Sequence, residues 1–412
     1  MSELIANCRE HLQAERYEEA LQLLDQASAS SAAESALRGR ALSGLGRFAE
    51  AEEAFGKALA TDPHSHESLA GLGLLAWLTG RHHPALERFD AAVRLSPETG
   101  RYRGLRGLVH AQLKNTQVAL EDFQAAYELG DRDPAPMLAR AQILIARGEL
   151  EKGREVLELA RSNGAEEGAL GSLEGALLRM TGDHSGALAG YEASLATDPT
   201  RVNLWWEVLG LVSQVDRARF PQLLQSALQH HPDDERILIL AAAKMREDGK
   251  LSEALSLLES AVARQPKNAG LLIFLGTYLR EVDRSEEALQ AFGRALEIAP
   301  NSGKAHFGLA LATNDRDLAV RSFQRAVEIE PENVVFLYHY GSVLSGLGQY
   351  NEALAPLARA IEIDPGFWRA YHERSICYES LGRFASAQQE RERCEAARSQ
   401  GRDLPADLDP MA

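Results

Sequence analysis

The sequence is short of what metal binding, redox chemistry or membrane insertion would need. Its 412 residues contain three cysteines, Cys8, Cys377 and Cys394. They show no metal-ligand or redox spacing and read as reduced packing residues. The histidine pairs His64 with His66, His82 with His83 and His230 with His231 lack carboxylate or cysteine companions at ligand spacing. Gly71, Leu72 and Gly73 fall inside a helical stretch rather than between a strand and a helix, which rules out a phosphate loop, and there is no nucleophile elbow. No catalytic residue, cofactor or metal is expected, and the chain does not read as an enzyme. Aromatic residues are scarce, at 6%. No long apolar run is present, so direct membrane insertion is not expected. The first sixteen residues mix Glu3, Arg9, Glu10 and Glu15 with apolar positions, which excludes a secretion signal and points to the cytoplasm. Basic residues are outnumbered 44 to 60, for a net charge of -16. That field repels nucleic acid and anionic membrane.

What is present is a period. Pro199, Pro232, Pro266, Pro300, Pro331 and Pro365 are spaced 33, 34, 34, 31 and 34 residues apart, and Pro63 and Pro97 share their phase. Ahead of the prolines recurs a small residue, a large apolar one four places on and a small one three further. Ala51, Phe55, Ala58 are one copy; Ala85, Phe89, Ala92 and Ala119, Phe123, Ala126 follow, and Ala254, Leu258, Ala261 and Ala288, Phe292, Ala295 come later. Spacings of four and three put these residues on one stripe of a helix. About twelve residues earlier lies Gly39, Gly73, Gly107, Gly175, Gly276 or Gly341, where a first helix, A, is expected to cross the second, B. Gly46, Gly80, Gly148, Gly182, Gly249, Gly348 and Gly382 mark the turn between them. A period near 34 residues implies helix pairs stacked as a solenoid.

This pattern resembles the tetratricopeptide repeat family, whose small, large, small and proline signature is matched by Ala85, Phe89, Ala92 and Pro97. About twelve units are expected from residue 2 to about 398, starting near residues 1, 32, 66, 100, 134, 168, 202, 235, 269, 303, 334 and 368. The resemblance implies an all-α, right-handed superhelix with a concave groove lined by the A helices, and no chemistry. The lysine and asparagine set with which some co-chaperones of the family grip a terminal carboxylate is missing here.

The expected organisation is an N-terminal array over 1–199, a degenerate repeat and candidate hinge over 200–233, a C-terminal array with a capping helix over 234–400, and a disordered tail over 401–412. Trp205 and Trp206 mark the degenerate unit, and Pro221 is placed at the start of its shortened B helix. Asn314, Asp315 and Arg316 are expected to form a glycine-free turn. Pro356 is expected to kink its helix, and Arg391 to face solvent on the last one.

In the register implied by the resemblance, the groove presents Arg40, Leu74 and Trp77 in a mostly small and apolar first half. The second half presents Trp206, Arg246, Arg280, Phe307 and Tyr338, joined by Arg236, Lys304 and Arg369 near their helix starts. Cations alternating with aromatics suit an extended acidic peptide. The expected function is a protein-interaction scaffold or adaptor that takes a partner segment in its groove. The alternative is a regulatory subunit that clamps an enzyme or effector.

Overall fold

The structure is a computed structural model that describes residues 2–26 and 31–399, and among these every regular element is helical. The predicted tail over 401–412 lies outside the described residues. The chain divides into two units, one ending at Arg217 and the other starting at Ala218. The first holds α1 (Ser2–Gln13), α2 (Tyr17–Asp25), α3 (Ala32–Gly44), α4 (Phe48–Thr61), α5 (His66–Leu78), α6 (His82–Leu95), α7 (Gly100–Gln112), α8 (Thr116–Glu128), α9 (Pro134–Ala146), α10 (Leu150–Ser162), α11 (Glu167–Met180), α12 (His184–Thr197) and α13 (Val202–Val215). A 3-10 turn, Arg217–Arg219, precedes α14 (Phe220–His230). After it come α15 (Glu235–Glu247), α16 (Leu251–Arg264), α17 (Ala269–Glu281), α18 (Ser285–Ile298), α19 (Gly303–Ala312), α20 (Arg316–Ile329), α21 (Val334–Gly346), α22 (Tyr350–Ile363), α23 (Trp368–Ser380) and α24 (Phe384–Ser399). Odd-numbered helices are A and even-numbered ones B, and the A helices begin within a residue or so of the predicted starts. Each unit is an all-α array of antiparallel hairpins, as a solenoid requires. The division between units falls within the degenerate repeat, whose A helix is α13 and B helix α14.

The six glycines predicted at the helix crossing all meet the large residue of their own B helix. A Cβ placed on Gly39, Gly107 or Gly175 would lie 2.7 Å from Phe55, Phe123 or Tyr191. On Gly341 it would lie 2.5 Å from Leu357. Carbon atoms in contact prefer about 3.5–4 Å, so no side chain fits. Two of the rings also press against the next A helix, since a Cβ on Gly71 would lie 2.3 Å from Phe55 and one on Gly308 2.2 Å from Phe292. Phe55, Phe89 and Phe292 are fully buried. Burying such a ring is worth about 1.5–3 kcal/mol, more than the roughly 1 kcal/mol that a helical glycine costs.

Among the described residues, seven of the A helices start on side-chain caps. Ser31 and Glu34 form a capping box, and Ser65, Asp133, Asp234, Asn268, Ser302 and Asn333 each accept a backbone N–H of the first turn. Ten of the twelve described A-to-B turns place one residue in the left-handed region. All seven predicted glycines have φ between 71° and 85°, while Glu15, Lys114 and Asp283 fill the same place with φ of 57°, 62° and 60°.

Pro221 stands in the first turn of α14, where its missing N–H leaves no hydrogen bond unmade. The three-residue turn predicted at 314–316 is corrected by one residue: Asp315 accepts the N–H groups of Asp317 and Leu318 as a cap, so Arg316 already belongs to α20. Helix α22 continues through Pro356. Arg391 is exposed and pairs with Glu379. Among the described residues no helix is long and apolar enough to cross a membrane.

Two hairpins carry a buried ion pair that the sequence did not announce. Arg106 of α7 donates to both oxygens of Asp122 in α8, at 2.8 and 2.6 Å, and to Asp90 of α6 at 2.8 Å. Arg374 of α23, at the equivalent place, donates through two nitrogens to a single oxygen of Glu390 in α24, Oε2, while Oε1 accepts from Arg393. At Arg106 bidentate geometry offsets the loss of hydration.

Substitutions at two of these turns should act in opposite directions. Gly148→Ala should lower the unfolding free energy by about 1 kcal/mol, whereas Lys114→Gly should raise it by about 0.5 kcal/mol, relief of strain outweighing the added backbone entropy. Urea unfolding of the two variants beside the parent chain measures both.

Candidate functional site

In the first unit Arg40 is exposed on α3, while Leu74 and Trp77 are half-buried on α5. Arg40 and Leu74 come together at a hollow of about 160 Å³ spanning α3, α5 and α7, which Glu67, Arg101, Tyr102 and Leu105 also line. Trp77 lies further along α5 and donates its indole N–H to Gln112 Oε1 at 2.7 Å. Tyr102 Oη shares a hydrogen bond with His66 Nδ1 at 2.8 Å. Burial, then the Glu67 carboxylate, push the Tyr102 phenol up to about 12 against the pull of Arg40 and Arg101, so it is a neutral hydroxyl. Glu67 accepts from Arg9 of α1 at 3.5 Å. Glu67, Arg101 and Tyr102 were missed from sequence. Glu67 and Arg101 are the second residues of their A helices, as are Arg236, Lys304 and Arg369, so the row that gave those cations would have found both. Trp206 lies half-buried on α13.

In the second unit Arg236 is exposed beside Asp234, at 3.6 Å. Arg246 donates to Glu281 at 2.8 Å and lies over the Tyr278 ring at 5.4 Å, so part of the predicted cationic strip is engaged internally. Arg280 is half-buried, Lys304 is exposed, and Arg369 lies over the Trp368 ring at 5.5 Å. Phe307 requires correction. It is fully buried, stacked on Phe336 with ring centroids 4.7 Å apart, and belongs to the core. The fifth residue of an A helix points toward the next A helix. Tyr338, in the same place, therefore meets Phe367 at 5.4 Å and is only half-buried. Lys304 at a second position and Arg40 at a ninth are exposed instead.

His339 of α21 sits among these groups, 5.2 Å from the Phe307 ring and 6.2 Å from the Phe323 ring. Burial, reinforced by the guanidiniums of Arg280 and Arg369, depresses its pKa to about 4. Between pH 6.5 and 4 the unfolded chain therefore takes up a proton that the folded chain refuses, and stability is lost as pH falls through that window. Relative to pH 7, the unfolding free energy at pH 4.5 should drop by about 2 kcal/mol on this account. His339→Gln should flatten that part of the profile, and paired denaturation curves of parent and variant test it. Among the described residues no group of three or more His, Cys, Asp or Glu side chains is disposed to hold a metal ion.

Models of the tetratricopeptide repeat match residues 36–83 and 80–134 in the first unit and 245–309 and 322–355 in the second. Superkiller complex protein 3 of Mus musculus is 26% identical over 236 residues, 54% of this chain and 15% of that protein. Small glutamine-rich tetratricopeptide repeat-containing protein 2 of Mycosarcoma maydis is 29% identical over 84 residues, 20% of this chain and 24% of that one. The chain thus spans less than a quarter of either relative's length. The solved structure of Pseudomonas aeruginosa pilF, 23% identical, aligns over 52% of this chain and 96% of its own with a TM-score of 0.45. With the repeat matched in both units and its glycine-to-ring packing found in hairpin after hairpin, the chain belongs to the tetratricopeptide repeat family.

Proposed function

We propose that this protein is a non-enzymatic scaffold whose A-helix faces bind an extended, acidic segment of a partner protein. The observation that carries the reading is the recurrence of cations on A helices of the second unit, with Arg236 exposed on α15, Arg280 half-buried on α17, Lys304 exposed on α19 and Arg369 on α23. Each guanidinium offers paired N–H groups matched to a carboxylate, and an exterior that is acidic overall disfavours anionic partners elsewhere. The name of Superkiller complex protein 3 places that relative in a complex, which agrees with a scaffold. The proposal includes a cytoplasmic location, supported by three free cysteines of which Cys8 and Cys377 are buried as packing.

The test is affinity capture with quantitative mass spectrometry. Arg280→Glu combined with Arg369→Glu should reduce recovery of the principal partner at least about tenfold while leaving helicity unchanged. Undiminished recovery would move the binding surface to the edges or the B-helix face.

We further propose that residues 200–233 hinge the arrays 1–199 and 234–400, supported by the 3-10 turn that replaces the usual glycine turn there. Limited trypsin digestion of the native chain should then cut first at Arg217 or Arg219. First cuts within a hairpin elsewhere would contradict it.

A further inference from the structure

The hollow on α3, α5 and α7 has a different chemistry from the cationic rows of the second unit: it is small and lined mostly by apolar groups, with charge confined to its rim. Ala70, Gly71, Leu74 and Leu105 supply its apolar lining. Gly71 cannot carry a side chain because the Phe55 ring fills the space below it. The rim holds two guanidiniums, Arg40 and Arg101, and one carboxylate, Glu67.

Several other guanidiniums of this unit are engaged by acids, although Arg88 and Arg154 form no ion pair among the described residues. Arg38 is held by Asp25 at 2.6 Å, Arg81 by Glu52 at 3.3 Å and Arg161 by Glu174 at 2.7 Å. Neither Arg40 nor Arg101 is drawn into an ion pair among the described residues. Glu67 is already approached by Arg9 at 3.5 Å. Asp131, a further carboxylate near Arg101, accepts the backbone N–H of Asp133 at 3.4 Å. The Tyr102 hydroxyl is committed to His66. The hollow is thus a largely apolar seat with two guanidiniums that form no ion pair among the described residues.

We infer that this hollow recognises an extended partner segment by one aliphatic side chain seated between Leu74 and Leu105, with a neighbouring Asp or Glu held by Arg40 or Arg101. The inference rests on the reading of the A-helix face as a binding surface and adds the chemistry of the ligand. A buried apolar anchor supplies most of the binding energy at such a site, and the charged rim selects among anchors. A lysine beside the aliphatic residue is repelled by the two guanidiniums. A serine in place of the aliphatic residue leaves the seat unfilled.

The experiment uses the full chain and fluorescein-labelled peptide pools with random flanks around fixed cores, read by anisotropy. Asp-Leu and Leu-Asp pools should bind at least about tenfold tighter than Asn-Leu, Lys-Leu or Asp-Ser pools. Arg40→Glu combined with Arg101→Glu, both at exposed positions, should abolish that preference and invert it toward the Lys-Leu pool, with circular dichroism unchanged. A different core bound equally tightly, or a preference that survives the charge reversal, would overturn the inference and leave the A-face reading standing. Failure of every pool to bind would instead overturn that reading for this unit, and the inference with it.

Discussion

A large side chain from a B helix pressed against bare backbone on an A helix is the contact on which the rest of each unit depends. It sets how closely the helices of a hairpin approach, and where the same ring meets a second glycine it sets the spacing to the following repeat as well. The balance is favourable by a small margin, since ring burial outweighs the glycine cost by only a kcal/mol or two. Stability of such an array is then a sum of modest, nearly local terms. That explains why turns, caps and single glycines matter in a chain that has no central core.

The same contact decides which residues are free to meet a partner. Fifth residues such as Phe307 fill the gap between neighbouring A helices, whereas second, ninth and twelfth residues such as Lys304, Arg40 and Arg280 are more open. Arg40, Leu74, Arg246 and Arg280 occupy the ninth and twelfth positions; Glu67, Arg101, Lys304 and Arg369 occupy the second. The surface chemistry of each unit is therefore written in a few columns of an otherwise structural sequence.

Much of this was legible in the chain itself. Glycine, ring and turn positions recur at fixed distances and are dictated by sterics within one repeat, so Gly107 with Phe123, or the left-handed turn at Gly148, follows from spacing alone. What escaped depends on contacts between repeats. Phe307 reads as an outward aromatic until Phe336 of the next repeat is seen to cover it. Arg246 reads as an open cation until Glu281, 35 residues on, is found at 2.8 Å. The pairing of Arg106 with Asp122 was hidden because helix periodicity assigns polar residues to solvent by default. The hollow at Arg101 and Tyr102 was missed because the row of second positions was read in one half of the chain only.

The buried pairing of Arg106 with Asp122 bears on how such a chain can be lengthened or shuffled. A genetic exchange whose seam fell between α7 and α8 would inherit one charge without the other, stranding an ion in an apolar hairpin at a cost of about 3–5 kcal/mol. A seam at Pro97 would carry both partners together and forfeit only the exposed link to Asp90. Duplication in this family member is thereby confined to one phase, and that phase is the one the prolines keep.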